Sequence, residues 1–166
     1  MANSASRVPD ERSKGRAGRT LILALGNPIL SDDGVGWEVA DRLAAALPAD
    51  RYDIVRESGA TLDLLCRFEG YERLIIIDGI QLGTHPVGTV HRFTLEDFRS
   101  TVRCSSPHDL NFATAFAVGR DLGYDIPTDI RIYAIEVKEL RAFAEGCTPE
   151  VRDRLEDITR EIAAEL

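Results

Sequence analysis

Short apolar runs alternate along this chain with segments whose apolar residues recur every three or four positions. Thr20 to Leu25 (TLILAL) is a continuous apolar run closed by Gly26-Asn27-Pro28, which predicts a buried strand and a turn. From about Gly34 to Leu47, Val35, Val39, Leu43 and Leu47 repeat at four-residue spacing and predict a helix with one inner stripe, ended by Pro48. Tyr52 to Arg56 reads as a second strand. A short helix follows near Leu62 to Phe68, with Leu62, Leu65 and Phe68 or Leu64 facing inward. Arg73 to Ile77 holds Leu-Ile-Ile-Ile, the clearest buried strand, and stops at Asp78-Gly79. Val87, Thr89, His91 and Phe93 alternate with Val90 and Arg92, the pattern of a less buried, edge-like strand.

In the second half, Ser106-Pro107 opens a helix, with serine as cap and proline in the first turn. It runs to about Leu122 with Phe112, Ala113, Phe116 and Ala117 on one face. Asp129 to Val137 is the last strand. Thr148-Pro149-Glu150 opens a final helix striped by Val151, Leu155, Ile158, Ile162 and Leu166. Strands alternating with helices predict an α/β sandwich. The Gly83–Gly88 loop is too short for a helical crossover, so the strand after it is expected to be antiparallel to its neighbour and the sheet mixed. No repeat and no linker divides the chain, which predicts a single domain over residues 20–166. Residues 1–19 are polar and rich in Arg, Ser, Lys and Gly, and are expected to form a disordered arm.

Composition adds exclusions. A hydrophobic fraction of 44% and a charged fraction of 29% over 166 residues are those of an ordinary globular protein. The net charge of −8 argues against a nucleic-acid partner. No apolar run approaches the ~20 residues that span a membrane, and the N-terminal segment has no apolar core of a secretory signal. Cys66, Cys104 and Cys147 form neither a C-x-x-C pair nor a disulfide framework, which fits a reducing cytoplasm.

Ligands of an open α/β sheet collect at the carboxyl ends of its strands. Asp32-Asp33 follows the first strand, Asp78 ends the third, and His108 sits where a helix starts after a loop. Two carboxylates and an imidazole suit a divalent ion such as zinc, nickel or iron, with positions left open for water or substrate. Each residue also has a plain structural explanation. Asp32 or Asp33 before Gly34 can cap a helix, Asp78-Gly79 can be a turn, and a histidine in a first helical turn can be solvated.

The arrangement is more specific than its parts. Gly26-Asn27-Pro28-Ile29-Leu30-Ser31-Asp32-Asp33-Gly34-Val35-Gly36 resembles the first motif of the hydrogenase maturation endopeptidases, which trim the large subunit of nickel-iron hydrogenases. Leu74-Ile75-Ile76-Ile77-Asp78 resembles the second and Ser106-Pro107-His108-Asp109-Leu110 the third, in family order. The resemblance covers Thr20 to the C-terminus. It implies a three-layer α/β/α sandwich with a twisted, mostly parallel mixed sheet of about five strands. It further implies a peptidase domain whose metal ligands and catalytic residues are Asp33, Asp78 and His108. The implied substrate is the nickel-loaded precursor of a hydrogenase large subunit, which brings the nickel and loses a C-terminal peptide; another divalent metal is the alternative cofactor. Metal-assisted hydrolysis without a covalent enzyme intermediate is the expected chemistry. No Ser-His-Asp or Cys-His pairing can be identified from spacing.

Other features fit around this reading. Gly26 and Gly34 are expected to let the chain turn tightly beside the site, and Gly36 to let the helix approach the sheet. Gly-x-Gly-x-x-Gly is absent, and two acids stand where a phosphate would sit. Glu57-Ser58-Gly59-Ala60-Thr61-Leu62-Asp63 matches only loosely the family's glycine-rich segment, and the acid at Asp33 is glutamate in some relatives. His85 and His91 read as surface or structural residues, Trp37 as core, and Glu136 as a residue standing behind the ligands. Competing functions are a metallohydrolase of the same fold acting on another peptide or small molecule, and a non-enzymatic metal- or ligand-binding module.

Overall fold

Each predicted strand takes its place in one five-stranded sheet of order β2-β1-β3-β5-β4. The computed structural model describes residues 15–58, 64–97 and 112–166. Its strands are β1 (Thr20–Leu25), β2 (Tyr52–Glu57), β3 (Arg73–Ile80), β4 (Val90–Thr94) and β5 (Asp129–Glu136). The pairs β1–β2, β1–β3 and β3–β5 are parallel, and β4 runs antiparallel to β5. The short loop before β4 thus has the expected consequence, a mixed sheet with an antiparallel edge.

The helices are α1 (Val35–Ala46), α2 (Leu65–Phe68), α3 (Phe112–Asp121), α4 (Pro149–Arg152) and α5 (Leu155–Ala163), with a 3-10 turn at Ser31–Gly34 ahead of α1. They fall on both faces of the sheet. Val35, Val39 and Leu43 of α1 pack with Val151, Leu155, Ile158 and Ile162 against Ile22, Ile75, Ile77, Tyr133 and Ile135. On the other face Leu65, Phe68 and Phe116 pack against Leu21, Leu23, Leu74, Ile76 and Ile132. β1 and β3 are apolar on both sides because helices cover both sides, the signature of a buried parallel strand. The result is the expected three-layer α/β/α sandwich.

Four details differ from the sequence reading. β3 does not stop at Asp78-Gly79; it continues to Ile80, because β5 supplies partners as far as Ile80↔Glu136. The final helix breaks in two around Asp153 and Arg154, although its stripe still faces the core. On α3 Phe116 is buried but Ala117 is exposed, so the inner face is turned from the one expected. Trp37 is half-buried and outside the core; its indole donates to Glu57 O at 3.3 Å and lines a small cavity with Pro28, Gly34 and Cys147. At the N-terminal end, the Arg16 guanidinium lies 4.9 Å from the Tyr71 ring centre, and Arg19 pairs with Asp53 at 2.6 Å.

Candidate active site

The carboxyl ends of β1 and β3 are shaped by two glycines. Gly26 has φ +140°, and a Cβ there would lie 2.0 Å from Asp33 O, so only glycine lets the chain fold the 3-10 turn onto the end of β1. A Cβ on Gly36 would lie 2.3 Å from Leu25 O and 2.8 Å from Ile77 O, so α1 starts in direct contact with both strand ends. Gly34, by contrast, has an ordinary helical φ of −76°; close packing on Pro28, rather than a turn, is what its lack of a side chain permits.

This packing buries Asp33 completely and Asp78 to 4% exposure. Asp33 Oδ2 accepts a hydrogen bond from Asn27 N at 2.8 Å, and Asp78 Oδ1 accepts one from Gly79 N at 2.8 Å. The segments adjoin, since a Cβ on Gly79 would meet Asp32 O at 3.4 Å. Two carboxylates with backbone amides fixing one oxygen of each therefore stand at neighbouring strand ends. Buried carboxylates held by backbone amides are donors of the kind that suit a hard or borderline divalent ion.

Asp32 does different work. It is fully buried and accepts four hydrogen bonds. Lys138 N (3.1 Å), Glu139 N (3.0 Å) and Thr148 Oγ1 (3.1 Å) donate to Oδ2, and Thr148 N (2.6 Å) donates to Oδ1. The loop after β5 is thus tied across the 3-10 turn, and Ser31 N donating to Ala144 O at 2.9 Å adds to the tie. The expectation that Asp32 or Asp33 caps α1 is not met. Neither the 3-10 turn nor α1 has a side-chain cap, because both carboxylates are turned toward other backbone amides. Cys147 lies on the same loop. Burial, with Asp32 and Glu38 nearby, pushes its thiol up to about 12, which leaves it protonated and a poor nucleophile.

His108 lies outside the described residues, as do Ser106, Pro107, Asp109 and Cys104. The described chain around α3 is informative nonetheless. Phe116 packs on the sheet face to which Leu74, Ile76 and, by alternation, Asp78 belong. Beyond α3, Asp125 O accepts from Gly70 N at 3.2 Å, near the amino end of β3. α3 therefore starts toward the carboxyl end of the sheet, where Asp78 lies.

The sequence reading kept His85, His91 and Glu136 apart, and the structure brings them together. One ligand atom from each lies within 4.8 Å of the other two. Glu136 is 1% exposed, and its Oε1 accepts from Leu82 N (2.9 Å) and Gly83 N (2.8 Å). Its Oε2 is 3.2 Å from His91 Nε2, and the His85 and His91 rings meet edge to face with centres 4.7 Å apart. Alternation along β4 already placed His91 on one face. The missing information was that β4 pairs with β5 in the register His91↔Ala134, which sets that face beside Glu136.

Comparison with known proteins follows the same lines. The model of the family described as hydrogenase maturation protease matches residues 38–165. The hydrogenase 2 maturation protease of Escherichia coli K12 is 25% identical over 150 residues, covering 89% of this chain and 90% of that protein. The hydrogenase expression/formation protein HupD of Rhodobacter capsulatus is 28% identical over 154 residues, covering 89% of this chain and 71% of that protein. Among solved structures, the hydrogenase maturating endopeptidase HybD from E. coli superposes with a TM-score of 0.75 at 26% identity, covering 89% and 91% of the two chains. The [NiFe] hydrogenase maturation protease HybD from Thermococcus kodakarensis gives 0.68 at 27% identity, covering 89% and 97%.

Proposed function

The chain belongs to the hydrogenase maturation protease family, and from that premise we propose that Asp33, Asp78 and His108 form the centre at which it processes a nickel-iron hydrogenase precursor. As an endopeptidase of hydrogenase maturation, it removes a C-terminal peptide from the hydrogenase large subunit. The nickel belongs to the substrate: the precursor carries it into the crevice, where the two carboxylates and the imidazole receive it. Nickel, or another divalent ion held there, supplies Lewis acidity toward a carbonyl or a bound water. The protein's own part is to hold Asp33 and Asp78 by backbone amides so that neither swings away, and to brace their loop through Asp32. Hydrolysis proceeds without an acyl-enzyme, in keeping with the protonated Cys147 thiol beside the loop. The reaction is assigned to the cytoplasm, in keeping with cysteines that form neither a C-x-x-C pair nor a disulfide framework in the sequence. No helix among the described residues is long and apolar enough to cross a membrane.

The observation that carries this reading is the pair of buried, amide-anchored acids at the ends of β1 and β3, each from a segment that resembles a family motif. Incubating the protein with a nickel-loaded large-subunit precursor and following the mass of the product tests it. Asp33→Asn, Asp78→Asn and His108→Ala are each expected to slow cleavage at least about 100-fold, the scale of losing a group that stabilises developing charge. Asparagine keeps the shape, so retained folding is checked in parallel by circular dichroism. Normal cleavage by all three variants refutes the site, and an acyl-enzyme trapped on any serine or cysteine refutes the mechanism.

A further inference from the structure

We propose that His85, His91 and Glu136 form a second metal site, separate from the Asp33–Asp78–His108 centre, that binds a borderline divalent ion such as zinc or nickel. Two imidazoles and one carboxylate are a donor set that such ions favour, and three protein ligands leave a position for water.

The site is built. Glu136 ends β5, and its main chain and side chain together organise the loop from Gln81 to Thr89. Gly88 N donates to Glu136 O at 2.8 Å, and Glu136 N donates to Thr89 O at 2.8 Å. Leu82 N and Gly83 N donate to the carboxylate itself. Gly83 has φ +71°, which helps the loop turn back over Glu136. Oε1 is thereby fixed on the protein side, and Oε2 is aimed at the imidazoles. The Glu136 side chain is 2% exposed and that of His91 12%, so two donors are fixed in the wall while exposed His85 closes from the loop.

The distances allow the closure. Donors each about 2.1 Å from an ion in tetrahedral geometry lie roughly 3.4 Å apart. The separations, none above 4.8 Å, shrink to this when the His85 side chain moves by up to about 1.4 Å. A buried carboxylate facing two imidazoles also gains from a cation, since low polarity strengthens their attraction.

Sheet geometry keeps this site apart from the other. Asp78 and His91 pair with the same residue, Ala134, from opposite sides. Two strand spacings, about 10 Å, therefore separate them across the sheet. Both lie on the face covered by α2 and α3, at its carboxyl end. An ion at His85 would tie the Gln81–Thr89 loop down at the margin of the proposed processing crevice.

The test uses the full chain with any affinity tag removed. Zn2+ or Ni2+ alone is titrated against a chromophoric chelator, and the imidazole nitrogens of the three histidines are followed by NMR. The expected result is one ion whose binding shifts the His85 and His91 resonances. His85→Gln and His91→Gln should each weaken the binding that shifts these resonances at least tenfold, while Asp78→Asn leaves the His85 and His91 shifts in place, whatever it does to an ion at its own centre. Melting temperatures of the unloaded variants verify folding, and His85→Gln, at an exposed loop position, should match the parent. Unshifted His85 and His91 resonances at millimolar metal overturn the proposal. So does undiminished binding by both glutamine variants, or loss of the His85 and His91 shifts with Asp78→Asn instead. Precursor cleavage tests the Asp33–Asp78–His108 reading on its own, so the two can fail separately.

Discussion

Asp32→Asn isolates what the first acid of the Asp-Asp pair contributes. In the parent, one oxygen takes three donors and the other takes Thr148 N at 2.6 Å, all in a fully buried position. An asparagine fits the space. Its carbonyl oxygen best replaces Oδ2, which keeps the Lys138, Glu139 and Thr148 hydroxyl donors. Its amide nitrogen then faces the Thr148 N–H, donor against donor. Losing a charge-assisted hydrogen bond costs about 1.5–3 kcal/mol, and leaving a buried donor unmatched adds about 1–3 kcal/mol, partly the same loss. A net cost of about 3 kcal/mol follows, a large share of the roughly 5–15 kcal/mol that holds a domain together. At about 2–4 °C per kcal/mol for a chain of this size, the melting temperature falls by about 6–12 °C. Urea denaturation followed by circular dichroism gives the free energy, and calorimetry gives the temperature. Thr148→Val, which removes only the hydroxyl donor, should cost about 1 kcal/mol in the same assay. If Asp32→Asn stays within about 0.5 kcal/mol of the parent, as an ordinary surface change would, the brace is not a stabilising device.

Three further outcomes are expected. Gly36→Ala places a Cβ 2.3 Å from Leu25 O, so α1 must lift from the sheet, and urea denaturation should show a loss of about 3 kcal/mol; a neutral result would mean that the helix start is not fixed there. Alkylation at pH 8 with peptide mapping should label exposed Cys66 and spare Cys147 until unfolding; because the folded-state thiol of Cys147 is raised to about 12, its contribution to stability is full below about pH 9 and lost as pH rises toward 12. Burial alone would raise the Asp129 carboxyl, but Arg73 at 2.6 Å and Arg131 at 3.2 Å hold it below its usual range. The stability difference between the parent and Asp129→Asn, at most about 1 kcal/mol for a partly exposed pair, should therefore be present at pH 7 and shrink as pH falls below about 4.

Much of the fold is legible in the sequence because its signals are local. The Thr20–Leu25 run is found as β1 with the same bounds, and the Val35–Val39–Leu43 stripe is the buried face of α1. The loop between β3 and β4 forced an antiparallel edge by length alone. What escaped the reading depends on pairing. β3 runs past Asp78 because β5 extends alongside it, and nothing in Asp78-Gly79-Ile80 signals that partner. The break at Asp153 and Arg154 is equally hidden, since the stripe on both sides of it still faces inward.

The candidate site divides in the same way. Asp33 and Asp78 follow from one rule, that strand ends in a parallel sheet gather chemistry, and the motif resemblance supplied the choice between them and Asp32. The structure gives Asp32 a different part to play. Asp32 is held by four donors from a loop more than a hundred residues away, so it fixes that loop in position, whereas an amide within six positions in sequence anchors Asp33 and another anchors Asp78. A carboxylate surrounded by four donors is a weak ligand, because every donor must be displaced or shared before an ion can approach. A local amide fixes the orientation of a carboxylate without tying it to a distant loop. Glu136 is an intermediate case: the amides of Leu82 and Gly83 hold Oε1, while Oε2 lies 3.2 Å from the His91 imidazole, a group that can share it with a metal. Donors drawn from more than a hundred residues away thus mark Asp32 as a brace between loops.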